Sequence, residues 1–133
     1  MDKNYNEVKH YISCDNPIIT DHKIHGVKTL PGVVLIDIVC RTLRKLYGAQ
    51  LFEFNNVVFK RPVVAAQEND QYVVVGISKH KAHYDINVTS HDKGNPEANR
   101  ENMSCQVQLI DEYEPTKVFD VDGFIAHCDN VID

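Results

Sequence analysis

One segment of this chain has the length and apolar pattern of a long helix. It begins at Gly32, and its sequence VVLIDIVCRTLRKLY is apolar on all sides through the first two turns. A helix of that kind is predicted to be buried on most of its surface. Gly48 follows Tyr47 and is typical of a helix end. Any sheet that the chain forms must therefore pack around this helix.

The segments after the helix are predicted to be strands. They are rich in β-branched and aromatic residues or alternate polar with apolar residues, and turn residues separate them. These segments are residues 52–64, 71–78, 84–89 and 104–110. Extended structure is also predicted before the helix, over most of residues 11–30. The pattern indicates an α+β fold with an antiparallel sheet wrapped around one long central helix.

The two ends of the chain have less pronounced patterns. Residues 1–10 form a polar lead, which we expect to be a helical turn or a frayed end. We place the folded domain at residues 1–111 and an acidic C-terminal tail at residues 112–133, with a short helix over residues 121–128. A sheet of four strands leaves an open edge, which calls for a second copy of the chain or another cover.

Charge and composition exclude several classes of function. A net charge of −5 over 133 residues argues against general nucleic-acid binding. No apolar stretch approaches the roughly 18 residues that span a bilayer, and the N-terminus lacks the apolar core of a signal peptide. Four cysteines without a CxxC pair predict neither a disulfide framework nor a zinc site. We therefore expect a cytoplasmic protein that is a small enzyme or a binding domain.

The residues leading into the helix carry a possible site. The stretch DHKIHGVKTLPG places His22 four residues before Gly26, nine before Pro31 and ten before Gly32. The first amides of a helix have no partner within it and can hold an oxygen that carries negative charge. An imidazole beside such an oxygen can take or give a proton at neutral pH. Proton transfer next to a polarised carbonyl is the reaction that this arrangement favours.

This stretch resembles a known signature. HKIHGVKTLPG matches the HxxxGxxxxP motif of the dehydratase domains of modular polyketide synthases, and LPGVVLID and FNNVVFKRPVVA resemble the segments that follow it. The resemblance implies the hotdog fold. It also implies removal of water from a β-hydroxyacyl thioester carried on the phosphopantetheine arm of an acyl carrier protein, without another cofactor. By similarity His22 is the catalytic base, and Gly26, Pro31 and Gly32 form the substrate-binding turn and helix start.

The resemblance leaves the catalytic acid open. The polyketide enzymes are double hotdogs whose aspartate comes from the second half, whereas this chain resembles the first half alone. Asp37 resembles the acid of single-hotdog β-hydroxyacyl-carrier-protein dehydratases of fatty-acid synthesis, which act as homodimers. We therefore name Asp37 as the candidate acid, supplied across a homodimer or a pairing with another hotdog domain. An ordinary ion pair with Arg41, four residues on, explains Asp37 equally well.

Two alternative functions and two histidine pairs also have to be considered for this sequence. A non-catalytic hotdog that serves as a structural or carrier-docking half-domain, and a hotdog thioesterase, are the alternatives. His25 lies three residues after His22, and His83 lies three residues after His80. Neither pair has further metal ligands at a suitable spacing, so no metal site is predicted. His25 is expected to be exposed, on the opposite side of a strand from His22. Basic residues that suit an acidic carrier protein are Lys60, Arg61 and Arg44.

Overall fold

The computed structural model describes residues 4–48 and 51–110. Its strands are β1 Tyr5–Ile12, β2 Lys23–Ile24, β3 Val27–Leu30, β4 Leu51–Phe59, β5 Val63–Val64, β6 Gln71–Lys79, β7 Tyr84–Asp92 and β8 Arg100–Ile110. Its helices are α1 Pro17–Thr20 and α2 Gly32–Tyr47, and a single 3-10 turn spans Ala66–Glu68. The predicted acidic tail and the helix within it lie outside these residues. No helix of the described ranges is long and apolar enough to cross a membrane.

Helix α2 is the long helix of the described chain and lies at its centre. Its buried side chains include Leu35, Val39 and Leu43, which belong to one core cluster with the inner face of the sheet. The helix ends at Gly48, whose φ of 92° is open to glycine and whose N–H donates to the carbonyl of Arg44 at 2.9 Å. Both bounds of the predicted helix are confirmed.

The main sheet has five antiparallel strands in the order β1-β6-β7-β8-β4. Strand β6 shows how it covers the helix, because Val73, Val75 and Ile77 alternate along its inner face and are fully buried. All four segments predicted after the helix contain strands, three of them with wider bounds than predicted. The predicted architecture, an antiparallel sheet around one helix, is confirmed.

The prediction for the first ten residues was wrong. Tyr5–Ile12 forms strand β1, which pairs with β6 from Tyr5↔Ser78 to Ile12↔Gln71. Val8, His10 and Ile12 are the residues of β1 that are at least partly buried. The other residues of this edge strand are exposed. His10 Nε2 lies 2.8 Å from the hydroxyl of Thr42 on α2. The polar sequence of this segment predicted a frayed end. It forms a strand because β6 supplies partners for its backbone hydrogen bonds.

The predicted strand over residues 52–64 is divided in two. Strand β4 ends at Phe59, and β5 pairs instead with β3 in a separate three-stranded sheet of order β2-β3-β5. Pro62 lies at the break, where its missing N–H prevents continued pairing. The extended segment predicted before the helix is likewise interrupted, since Pro17–Thr20 forms one helical turn capped by the Asn16 side chain.

Candidate active site

Gly26 belongs to a tight hairpin turn between β2 and β3. The two strands pair as Lys23↔Lys28 and Ile24↔Val27, so only His25 and Gly26 remain in the loop. Both have positive φ, 51° and 78°, as the favoured two-residue hairpin turns require. His25 is exposed, as predicted, but it lies in the turn and not on the far side of a strand. The glycine of the signature is thus a turn residue.

The hairpin brings His22 and Thr29 face to face. The N–H of Thr29 donates to the carbonyl of His22 at 2.8 Å, and His22 Nδ1 lies 2.9 Å from the carbonyl of Thr29. A carbonyl oxygen can only accept, so Nδ1 carries the proton in this contact. In a neutral imidazole Nε2 then holds the free lone pair. The half-buried ring is fixed in the tautomer that a general base needs.

Pro31 and Gly32 form the start of α2. Pro31 occupies the N-cap position with φ −58° and ψ 140°, and its side chain makes no capping hydrogen bond. Gly32 is the first helical residue, and its amide is one of those that the helix leaves without an internal partner. A Cβ atom at Gly32 would lie 3.3 Å from Cε1 of Phe59. Gly32 therefore leaves the helix start open to a ligand.

His22 and Gly32 line the same cavity. Its volume is about 230 Å³. Its lining residues are His22, Ile24, Thr29, Leu30, Gly32, Leu35, Phe59, Lys60, Arg61 and Pro62. Most of these side chains are apolar, with the imidazole on one side and two cations near the rim. Among the other predicted site residues, Gly26, Pro31 and Asp37 do not line it.

One wall of this cavity is the connection between β4 and β5, and Asn102 of β8 holds it in place. The N–H of Lys60 donates to the carbonyl of Asn102 at 2.8 Å, and Asn102 Nδ2 donates to the carbonyl of Arg61 at 3.0 Å. Asn102 is fully buried. Sequence reasoning missed this residue because the predicted strand began at residue 104, whereas β8 begins at Arg100.

Asp37 forms the helical ion pair that was the simpler explanation of its presence. Its Oδ2 lies 2.7 Å from Nε of Arg41, and the two side chains are 27% and 74% exposed. A surface pair of this kind contributes little to stability, about 0.3 to 0.5 kcal/mol. Within one chain Asp37 is therefore occupied by Arg41 and is absent from the lining of the cavity with His22.

Two cysteine thiols are unsuited to nucleophilic catalysis. Burial raises the pKa of the Cys105 thiol to about 12. A hydrogen bond to Asp70 is the largest cause that raises the pKa of Cys14. The thiolate is the reactive form of cysteine, so neither thiol is a nucleophile at neutral pH. Neither of these cysteines lines the cavity that holds His22.

Substituting Gly26 tests whether the hairpin holds the imidazole. In Gly26→Ala we expect a loss of about 1 to 2 kcal/mol in the free energy of unfolding, because a Cβ is disfavoured at a φ of 78°. Chemical denaturation measures that loss. Gly94→Ala is the matched control, since a Cβ there meets nothing within 4 Å and its φ is not positive. An equal effect of the two substitutions would contradict the role of the turn.

The fold and the site together define a class of protein: an antiparallel sheet around one helix, with a histidine fixed in one tautomer that lines the same cavity as the start of that helix. The family described as polyketide synthase dehydratase domain matches residues 7–91, which is more than half of the chain. The chain belongs to this family, and its fold is the hotdog, as predicted.

Individual relatives agree with this assignment. The chain is 31% identical over 72 residues to polyketide synthase PksM of Bacillus subtilis (strain 168), covering 53% of this chain and 2% of PksM. An N-terminal dehydratase from the difficidin assembly line matches with 30% identity and a TM-score of 0.76, over 91% of this chain and 43% of that one. The dehydratase domain from the CurK module of the curacin polyketide synthase shares the fold, with 13% identity and a TM-score of 0.75, over 94% and 45%. The chain thus spans less than half the length of these dehydratases.

Proposed function

We propose that this chain is the histidine-bearing half of a dehydratase that converts a β-hydroxyacyl thioester into the α,β-enoyl thioester. One observation carries the proposal. The imidazole, fixed by Thr29 so that Nε2 is the free base, and the helix-start glycine Gly32 line one apolar cavity. This is the arrangement that proton removal next to a carbonyl requires.

The reaction consists of removal of the α-proton and loss of the β-hydroxyl group as water. His22 Nε2 takes a proton from the α-carbon, and the amide of Gly32 donates a hydrogen bond to the thioester oxygen, where negative charge develops. The electron pair of the C–H bond then forms the double bond as the β-carbon–oxygen bond breaks. The departing hydroxyl takes a proton from an acid and leaves as water.

The acid is the component that one chain does not place beside the base. No carboxylate is among the described lining residues of the cavity, and Asp37 is bonded to Arg41. We propose that the acid comes from a second hotdog unit. Asp37 of another copy in a homodimer, or a residue of a paired hotdog domain, meets the requirement. Either pairing also covers exposed apolar side chains near the cavity, such as Phe59 and Val58 of the edge strand β4.

The substrate in this proposal is delivered by an acyl carrier protein. Lys60 and Arg61 line the cavity and are exposed, which suits the acidic surface and the phosphate of a carrier arm. Arg44 lies on α2 and is not among the lining residues. The reaction needs no cofactor beyond that arm. It belongs to polyketide or fatty-acid-like synthesis in the cytoplasm.

A combined assay of water loss and deuterium uptake tests the proposal. The purified chain is incubated in D₂O with a β-hydroxyacyl carrier protein, and the acyl group is analysed by mass spectrometry. Enoyl product shows that base and acid are both present. Deuterium at the α-carbon of unreacted substrate shows that the base works while the acid is missing. If neither product nor exchange exceeds the protein-free reaction, the half-domain is non-catalytic, and free acid without enoyl product indicates a thioesterase.

The variant Asp37→Asn identifies the source of the acid. If Asp37 acts across a homodimer, we expect water loss to fall by about 10²- to 10⁴-fold while α-deuteration persists, because only the acid is removed. The same liquid chromatography and mass spectrometry measure both. Arg41→Gln is the control, since it breaks the same ion pair and leaves the carboxylate. Equal rates of water loss in Asp37→Asn and wild type, both above the protein-free reaction, would exclude Asp37 as the acid.

A further inference from the structure

We propose that His80, His83 and Asp85 form a binding site for one divalent transition-metal ion. The three residues lie at the hairpin between β6 and β7. His80 Nε2 lies 2.8 Å from Asp85 Oδ2, and His83 Nε2 lies 3.3 Å from Asp85 Oδ1. One ligand atom from each side chain falls within 4.8 Å of the other two. Spacing along the sequence suggested no metal here, because it paired the two histidines without the carboxylate.

The backbone of the hairpin places the three side chains together. The N–H of His80 donates to the carbonyl of His83 at 2.8 Å and closes the turn. The imidazole rings stack with centroids 4.9 Å apart and an interplanar angle of 17°. Asp85 lies on β7, opposite Ser78, and His83 directly precedes that strand, which begins at Tyr84. Both Nε2 atoms are thus directed at one carboxylate.

The donor set selects the kind of ion. Two imidazoles and one carboxylate suit Zn²⁺, Cu²⁺ or Ni²⁺, whereas Mg²⁺ and Ca²⁺ prefer oxygen alone. In a tetrahedral zinc site with bonds of about 2.0 to 2.1 Å, neighbouring ligand atoms are about 3.3 Å apart. The distances to Asp85 run to different oxygens: His83 Nε2 lies 3.3 Å from Oδ1, which is that spacing, and His80 Nε2 lies 2.8 Å from Oδ2, which must lengthen by about 0.5 Å when an ion binds. Binding displaces any proton on either Nε2 to solvent, and the ion takes its place between the rings and the carboxylate.

Exposure of the cluster leaves room for the rest of the coordination shell. The side chains of His80, His83 and Asp85 are 50%, 38% and 42% exposed. Water can therefore fill the remaining position. None of the three lines the cavity that holds His22, so this site is separate from the proposed reaction. A bound ion would fasten the β6–β7 hairpin and stabilise the folded chain.

A second group of candidate ligands is less suitable. Cys14, Asp15 and Glu68 also lie within 4.8 Å of one another. Glu68 is already paired with Lys28 at 2.6 Å. A hydrogen bond between the Cys14 thiol and Asp70 is the largest cause that raises the pKa of that thiol. A cysteine binds a metal ion as the thiolate. The cluster of Cys14, Asp15 and Glu68 therefore competes poorly for an ion at neutral pH. The histidine cluster has no such obstacle.

Isothermal titration calorimetry with zinc sulfate tests the site. The chain is first stripped with a chelator and exchanged into metal-free buffer. We expect one Zn²⁺ per chain and a rise in Tm on addition of zinc. His83→Gln and Asp85→Asn are each expected to weaken Zn²⁺ binding at least about 10- to 100-fold, the loss that removal even of an outer partner of a ligand causes. Cobalt(II) absorption provides a second readout of imidazole coordination.

Two matched variants make the result specific. His25→Gln removes an exposed turn histidine outside the cluster, and Cys14→Ser removes a ligand of the competing group. Both should bind Zn²⁺ as wild type does. The proposal is overturned if the wild-type chain binds no Zn²⁺, or if His83→Gln and Asp85→Asn bind it as well as His25→Gln does. Circular dichroism confirms that each variant is folded. None of the substituted side chains is buried, so each variant is expected to fold.

Discussion

In the variant His22→Asn, α-proton removal from a β-hydroxyacyl thioester is expected to fall by about 10²- to 10⁴-fold, the usual contribution of a positioned general base. Asparagine retains an N–H near the position of Nδ1, so the hydrogen bond to the carbonyl of Thr29 can survive. What the variant lacks is Nε2. The rate is measured as α-deuteration and water loss by mass spectrometry, and Tm should change little.

The control for this variant is His25→Asn. His25 lies three residues away in the exposed turn, with a φ of 51° that asparagine tolerates better than most residues. Its rate should equal that of wild type. The protein-free blank gives the spontaneous rate of the carrier substrate. Full activity in His22→Asn above that rate would refute the assignment of the base.

Gly32→Val is expected to reduce the same rate by about 10²-fold or more, which is the effect of losing one donor to a developing oxyanion. A Cβ at this position already approaches Phe59 to 3.3 Å, and the valine methyl groups add bulk beside the amide of the first helical residue. The thioester oxygen then no longer reaches the amide. The side chain of Phe59 is 52% exposed and can rotate away, so the fold should survive.

Gly94→Val provides the comparison for Gly32→Val. Gly94 has open space around it, and neither glycine has a positive φ, so neither substitution requires valine in a left-handed conformation. Rates from the mass-spectrometric assay and Tm from calorimetry separate the two effects. A selective loss of rate in Gly32→Val, at constant Tm, supports the helix start as the carbonyl site. Equal rates in the two variants would place the carbonyl elsewhere.

Much of the fold was predictable because its signals are local. The apolar pattern of α2 and its terminal Gly48 fix a helix through neighbouring residues alone. The same holds for β7, in which polar and apolar residues alternate, and for β6, whose run of β-branched residues marks a buried strand. Strand β1 was not predictable in this way, since its polar residues form a strand only through pairing with β6. The break between β4 and β5 likewise depends on β3 as the alternative partner.

The sequence by itself determined the components of the proposed site, which are a histidine, a turn glycine and a helix start at fixed spacing, and the family that this spacing indicates. Tertiary structure alone decided how they act. The hairpin sets His22 against Thr29 and so selects the tautomer, β8 supplies Asn102 to support the cavity wall, and β7 adds Asp85 to two histidines. These contacts join residues whose mutual distances depend on chain reversals and strand pairing. Short-range patterns in a sequence carry helix and strand preference, but not the distances that such pairing sets.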